Sequence, residues 1–135
     1  MIMLDTSILV DILRKNRATL ENLKSLASKT LITSEICSME LFYLVYSNKI
    51  YQKDSSLMNK RINEITKLLD NFVILGLDRK SARKTAEIMG TLKLEGNMID
   101  FRDGMIAGIA LANGVETILT GNKTHFKKIK ELDVL

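Results

Sequence analysis

The chain has no proline, one cysteine and one histidine in 135 residues. A single thiol, Cys37, excludes an internal disulfide and any zinc site built on several cysteines. It suits a reducing compartment, where thiols stay free. A single imidazole, His125, excludes histidine-rich metal centres and leaves one candidate for a histidine-based triad. Any metal here should be a hard cation held by oxygen. No stretch approaches the roughly 18 uninterrupted apolar residues of a membrane span. Residues 1–10 lack the basic start and small-residue cleavage site of a signal peptide, and Asp5 interrupts their apolar run. The expectation is a cytoplasmic protein. No repeat, low-complexity tract or glycine/serine linker marks a boundary.

What is present suits one compact domain with a real core. Hydrophobic residues make up 46% and charged residues 27%, which argues against long disorder. The 20 basic and 16 acidic side chains leave a net charge of +4, compatible with a nucleic-acid partner without requiring one.

The hydrophobic pattern predicts strands alternating with helices. Met1–Leu4, Thr30–Thr33, Phe72–Leu75, Thr117–Thr120 and Asp133–Leu135 read as strands, the last at an edge. Helices are predicted at Ile8–Arg14 with Ser7 as cap, at Thr19–Lys29, and after Ser34 through Tyr46 with Asn48 as a stop. Further helices run from Ser55 or Ser56 to Leu69 and from Asp78 to Leu94. Another starts at Asp100 or Asp103 and ends at Asn113-Gly114, and a short basic helix runs to about Lys130. Such alternation implies a parallel sheet with right-handed crossovers. In such sheets functional groups collect beyond the carboxyl ends of strands. Asp5 and Asn122 lie just after predicted strands, and Asp103 lies at the start of a helix.

Taken singly, the acidic residues are ambiguous. Asp5 can serve as a cap or turn residue. Glu40, between Met39 and Leu41, can sit on a surface or point into a crevice. Asp103 can complement its helix dipole. Their order is more specific: LDTSILVD, then SMEL, then IDFRDGMIAGIALANG, then ETILTGNKTHFKKI. This order resembles the PIN-domain nucleases, and in particular the small VapC-type toxins, nearly end to end. The resemblance implies a PIN domain over residues 1–135, an α/β/α three-layer sandwich around a mainly parallel sheet.

It also implies catalytic and metal-holding roles for Asp5, Glu40 and Asp103. A fourth acid usually follows the late threonine in T-x-D. Here the segment is Thr120-Gly121-Asn122, so an amide replaces it. Asn122 and Asp100 are therefore the remaining candidates for ligation. Asp100 is read as a partner for Arg102 or a cap ahead of a ligand. Thr6 and Ser7 either support a carboxylate or cap the first helix, and Thr120 supports the site. Three carboxylates in one crevice repel one another, which a divalent cation relieves. Mg²⁺ is expected, and Mn²⁺ fits the same oxygen set.

The resemblance further implies an endoribonuclease, a VapB-like antitoxin partner and a homodimer. Two alternatives remain within the family: a PIN nuclease of RNA processing or ribosome maturation, and a degenerate PIN fold used for binding. A haloacid-dehalogenase-type phosphatase using Asp5 as nucleophile is a poor reading, because Ser7 stands where that pattern wants a second aspartate. Lys123, Lys127 and Lys130 follow Asn122 and fall near one stripe of a helix, where they would hold RNA phosphates. The basic run Arg79–Lys84 is expected to be a solvated face first, and Arg14, Lys15 and Arg17 are the next candidates for an RNA path. His125 is read as a turn or packing residue before a general acid, and Cys37 as a core residue. Leu41, Phe42, Tyr43, Leu44, Tyr46 and Tyr51 are expected to fill the core, with any left exposed forming a groove or dimer surface.

Overall fold

The computed structural model describes residues 1–135. The chain begins with β1 (Ile2–Leu4), three buried apolar residues, and passes through Asp5 into α1 (Thr6–Leu13) and α2 (Arg17–Ser25). β2 (Leu31–Ser34) leads to α3 (Glu35–Tyr46), α4 (Lys49–Lys53) and α5 (Ser55–Leu69). β3 (Val73–Leu75), α6 (Arg79–Leu94) and α7 (Phe101–Ala112) follow. β4 (Thr117–Leu119), α8 (Lys123–Phe126) and β5 (Asp133–Val134) complete the fold. No helix is long and apolar enough to cross a membrane.

The five strands form one sheet in the order β3-β2-β1-β4-β5, and every pairing is parallel. Met3 sits at the centre, in register with Ile32 on one side and Ile118 on the other. Both faces are covered by helices, giving the α/β/α sandwich. That is why the inner strands read as apolar runs rather than alternating ones. The chain winds outward from β1 through β2 to β3, then crosses back to β4 on the opposite side of β1. With right-handed crossovers the helices must change face at that reversal. The crevice where such a sheet reverses lies between β1 and β4, beyond their carboxyl ends.

Local chemistry accounts for the element boundaries, including those the pattern misplaces. Asp5, not Ser7, caps α1: its backbone is extended and its Oδ1 accepts from the Ile8 N–H at 3.3 Å. Asn16 caps α2, which starts two residues earlier and stops four earlier than its apolar spacing suggests. Asn48 begins a helix instead of only ending one, because its Oδ1 accepts from the Ile50 N–H. The one-turn α4 that results has no apolar period to reveal it. Asp100 is the cap of α7, so Asp103 falls in that helix's first turn. The basic segment is helical only over Lys123–Phe126; beyond Lys127 it closes in tighter turns, with Ile129 N–H bonded to the Phe126 carbonyl.

α7 packs closely on α6, and glycines make the approach possible. A Cβ built on Gly108 would lie 2.0 Å from Thr85 Oγ1 and 2.8 Å from the Thr85 backbone nitrogen. At Gly104 it would meet only the flexible Met89 side chain, while Gly90 faces open space. Gly108→Ala should therefore destabilise by about 1–3 kcal/mol, as overpacking does. Gly104→Ala should cost less, and Gly90→Ala should stabilise by up to about 1 kcal/mol through helix propensity. Urea unfolding of the three variants checks both the order and the change of sign.

Candidate functional site

Asp5 leaves the end of β1 and points into the crevice beside β4, where it is 4% exposed. Its carboxylate is held by three donors from two distant segments. Ser7 Oγ donates to Oδ1 at 2.6 Å, the Ile8 N–H donates to the same oxygen, and Thr120 Oγ1 donates to Oδ2 at 2.5 Å. The Gly121 N–H in turn bonds Ser7 Oγ at 2.8 Å, and the Asn122 N–H bonds Thr120 Oγ1 at 2.8 Å. The turn after β1 and the loop after β4 are thus stitched together around one carboxylate. Burial pushes the Asp5 carboxyl above its ordinary range; the hydroxyl bonds oppose this, and the Asp103 charge adds to it.

Glu40 reaches the same crevice from α3. Thr6 Oγ1 donates to its Oε1 at 2.8 Å, and Arg102 Nη1 lies 3.6 Å from its Oε2. Burial raises the Glu40 carboxyl as well, offset by Thr6 and Arg102 and reinforced by Asp103 and Asp100. Thr6 and Ser7, adjacent at the start of α1, therefore hold two different carboxylates. The sequence left these hydroxyls divided between capping and support. Their side chains support.

Asp103 comes from the first turn of α7. Its Oδ2 meets Asn122 Nδ2 at 3.2 Å and His125 Nδ1 at 2.7 Å. A neutral amide at position 122 therefore presents a donor to Asp103 where an aspartate would present a second negative charge. His125 Nδ1 also lies 2.8 Å from Asn122 Nδ2, so the imidazole packs into the acidic corner rather than standing apart as a turn residue. Asp103 Oδ1 makes no hydrogen bond within the chain.

Asp100 has a different role from the other acids. Its Oδ1 accepts the Arg102 N–H at 2.8 Å, and its two oxygens take Arg102 Nε and Nη2 at 3.1 Å each. The guanidinium holds the Asp100 carboxyl below the usual carboxylate range. The cap and the Arg102 partnership are both present, so Asp100, unlike Asp5, is gripped by a cation. Lys123, Lys127 and Lys130 do not form the continuous helical stripe expected of them, because α8 is too short. Lys130 turns toward α6, with its Nζ 3.9 Å from Glu95 Oε1. Arg102 is the participant that sequence reasoning undervalued. Its only signal was its place between two candidate acids.

The donor set is oxygen throughout at its acidic core, which fits a hard divalent cation. Asp103 Oδ1 is uncommitted, and Glu40 Oε2 meets only a long ion pair. No three acidic, histidine or cysteine side chains stand close enough to hold an ion as arranged.

A second feature lies behind the site. α1, α3, α4 and α5 enclose an apolar groove of about 460 Å³, lined by Val10, Leu13, Leu41, Leu44, Val45 and Ile65 and edged by Arg14, Arg61 and Glu64. Leu41 is core, as expected, whereas Tyr43, Leu44 and Tyr46 remain exposed.

The family model for the PIN domain matches residues 2–132. No protein with a curated description matches the sequence. Among solved structures the chain is similar to one in the crystal structure of VapBC2 from Rickettsia felis bound to a DNA fragment from their promoter. The two are 28% identical with a TM-score of 0.84, covering 100% of this chain and 98% of that one. A chain of FitAcB from Neisseria gonorrhoeae is 26% identical with a TM-score of 0.80, covering 100% and 96%. A chain of VapBC-1 from nontypeable Haemophilus influenzae is likewise 26% identical with a TM-score of 0.80, covering 100% and 97%. The likeness to VapC-type chains read from the sequence thus extends to the whole fold. A family match from β1 almost to the last strand, on a parallel sheet with acids gathered at its carboxyl edge, means that this chain belongs to the PIN domain family.

Proposed function

We propose that the chain is a Mg²⁺-dependent endoribonuclease that acts as the toxin of a VapBC-type toxin–antitoxin pair. The observation that carries this reading is the meeting of Asp5, Glu40 and Asp103, from three distant parts of the chain, at the sheet's reversal point. Asp5 and Glu40 are disfavoured as anions there, with no lysine or arginine paired to Asp5. That is an expensive arrangement for stability alone and a useful one for binding a cation.

Asp5, Glu40 and Asp103 would hold the ion. Bound there, a divalent cation supplies Lewis-acid polarisation of phosphate and a more acidic water. The chain's own residues set up the rest. Thr120 and Ser7 fix the Asp5 carboxylate, Thr6 fixes Glu40, and Asn122 with His125 fixes one oxygen of Asp103. Lys123 and Lys127 follow directly on the site loop and would steer a phosphate backbone toward it.

The likeness to chains of VapBC structures supports the toxin role and a VapB-like antitoxin. The apolar groove with arginines at its edge suits an amphipathic antitoxin segment carrying an acidic residue. The exposed face of α3, with Tyr43 and Tyr46, suits a second copy of the chain in a homodimer. Induced expression followed by mapping of new RNA ends tests the activity directly. New ends that persist with an Asp5→Asn protein would refute it.

Asp5→Asn, Glu40→Gln and Asp103→Asn should each abolish cleavage. The sign of their effect on stability follows from the pKa directions. Asp5 and Glu40 have folded-state values raised above 3.8 and 4.5, so the fold gains from their protonated forms and loses that gain as pH rises. At neutral pH without metal, Asp5→Asn should therefore melt at or above the parent temperature. The difference should close as pH falls through the raised Asp5 value. Adding Mg²⁺ should raise the parent's melting temperature more than the variant's, which thermal scans across pH would show.

Asn122→Asp should have opposite effects on the metal-free and metal-loaded protein. It puts a like charge against Asp103 and removes a hydrogen bond, so the metal-free protein should lose stability. It also adds a ligand charge, so Mn²⁺ should bind more tightly by about tenfold or more, the scale of changes around metal ligands. Calorimetric titration and metal-free melting give the two signs independently.

A further inference from the structure

Arg102 stands at the mouth of the acidic crevice, and its geometry is more specific than that of a surface counter-ion. Asp100 grips Nε and Nη2 in a two-pronged pair at 3.1 Å on each arm. The same carboxylate caps α7 through the Arg102 N–H. Backbone and side chain of Arg102 are thus fixed by one residue. A guanidinium has five N–H groups, of which Asp100 takes two, so three remain. They lie on the side turned away from Asp100. The only partner there is Glu40 Oε2, 3.6 Å from Nη1, beyond hydrogen-bond length. The Arg102 side chain is 47% exposed, so this contact contributes little.

We propose that Arg102 is the residue of this site that contacts the substrate phosphate, aimed by Asp100 and surrendering only its loose contact with Glu40 when RNA enters. The proposal rests on the ribonuclease reading above and assigns the part of the site that binds the RNA backbone. A phosphodiester approaching Asp5, Glu40 and Asp103 meets like charge. A guanidinium already oriented beside Glu40 offsets that repulsion with a planar pair of donors, the geometry that suits two phosphate oxygens. Charge neutralisation of Glu40 alone would need neither the fork nor its anchoring. Asp100 in this scheme is a positioning residue, which explains why an acid so near the crevice is committed to an arginine.

The test compares Arg102→Ala, Arg102→Lys and Asp100→Asn with the parent. Arg102 is exposed enough that its replacement leaves the core intact. KM and kcat are measured for cleavage. Binding of a labelled single-stranded RNA is measured across a salt series in the non-cleaving Asp5→Asn background. Mn²⁺ affinity is measured by calorimetry. Arg102→Ala should raise KM about tenfold, which corresponds to about 1.4 kcal/mol. It should also flatten the salt slope by about 0.7 log unit. Arg102→Lys should keep the slope, because the charge remains, yet recover only part of the KM. Asp100→Asn should raise KM with the slope unchanged, since it releases the fork without removing the cation. An unchanged KM and salt slope in Arg102→Ala, with tighter Mn²⁺ binding, would show that Arg102 serves only as the Glu40 counter-ion and would overturn the proposal. A parent protein that cleaves no RNA with either metal would overturn the ribonuclease reading itself, and this assignment with it. A parent that cleaves normally beside an unaffected Arg102→Ala overturns this assignment alone.

Discussion

A carboxylate buried at the reversal point of the sheet organises the rest of this molecule. Asp5 is almost inaccessible, yet no lysine or arginine neutralises it. Its burial is partly offset by hydrogen bonds from Ser7 and the Ile8 backbone at the start of α1 and from Thr120 after β4. Satisfying that one group fixes the start of α1, the end of β4 and the loop that follows it. The same loop carries Asn122 and His125, so the second carboxylate corner, at Asp103, is built on the first. Removing water from a charged group is costly unless it is fully bonded. The network around Asp5 supplies part of that bonding, and burial still raises its carboxyl.

The remaining acids are held by different kinds of partner. Glu40 has a threonine on one oxygen and a distant guanidinium opposite the other. Asp103 has an amide and an imidazole on one oxygen and nothing on the other. Asp100 is fully paired. The structure therefore separates one acid gripped by a guanidinium fork from three that are not, although all four are alike in sequence. Substitution of the family's usual fourth acid by Asn122 fits this pattern, because an amide donor lowers the repulsion that another carboxylate would add. The site keeps its shape with fewer charges.

Helix packing delivers Asp103 to this place. α7 approaches α6 closely enough that Gly108 touches the Thr85 backbone, and Gly114, at φ +72, turns the chain from α7 into β4. The small-residue run of α7 is thus a packing device whose consequence is electrostatic: it sets the depth of the helix and hence the position of the acid at its N-terminus. On the other side of the sheet α1, α3 and α5 pack less completely and leave the apolar groove. Of its lining residues, Leu41, Val45 and Ile65 are buried core, whereas Leu44 is exposed.

The sequence alone determined the alternation of strands and helices, because a parallel sheet covered on both faces needs short apolar runs and its crossovers need amphipathic helices. It also singled out Asp5, Glu40 and Asp103 as one candidate set, through the likeness of their order and local motifs to a family pattern. The tertiary structure decided what each polar side chain bonds. Whether Ser7 caps a helix or holds a carboxylate depends on Thr120 and Gly121, more than a hundred residues away, and no local pattern encodes that distance. The fate of Asp100 turned on whether α7 begins beside it or at Asp103; the helix starts at Phe101, which fixed Asp100 as a cap and made Arg102 its partner. The exposure of Tyr43 and Tyr46 depended on how α3 lies against α5, because an apolar helix face becomes core only where another element covers it. Local chemistry is written in residue order, whereas charge, burial and coverage are properties of neighbours brought together by the fold.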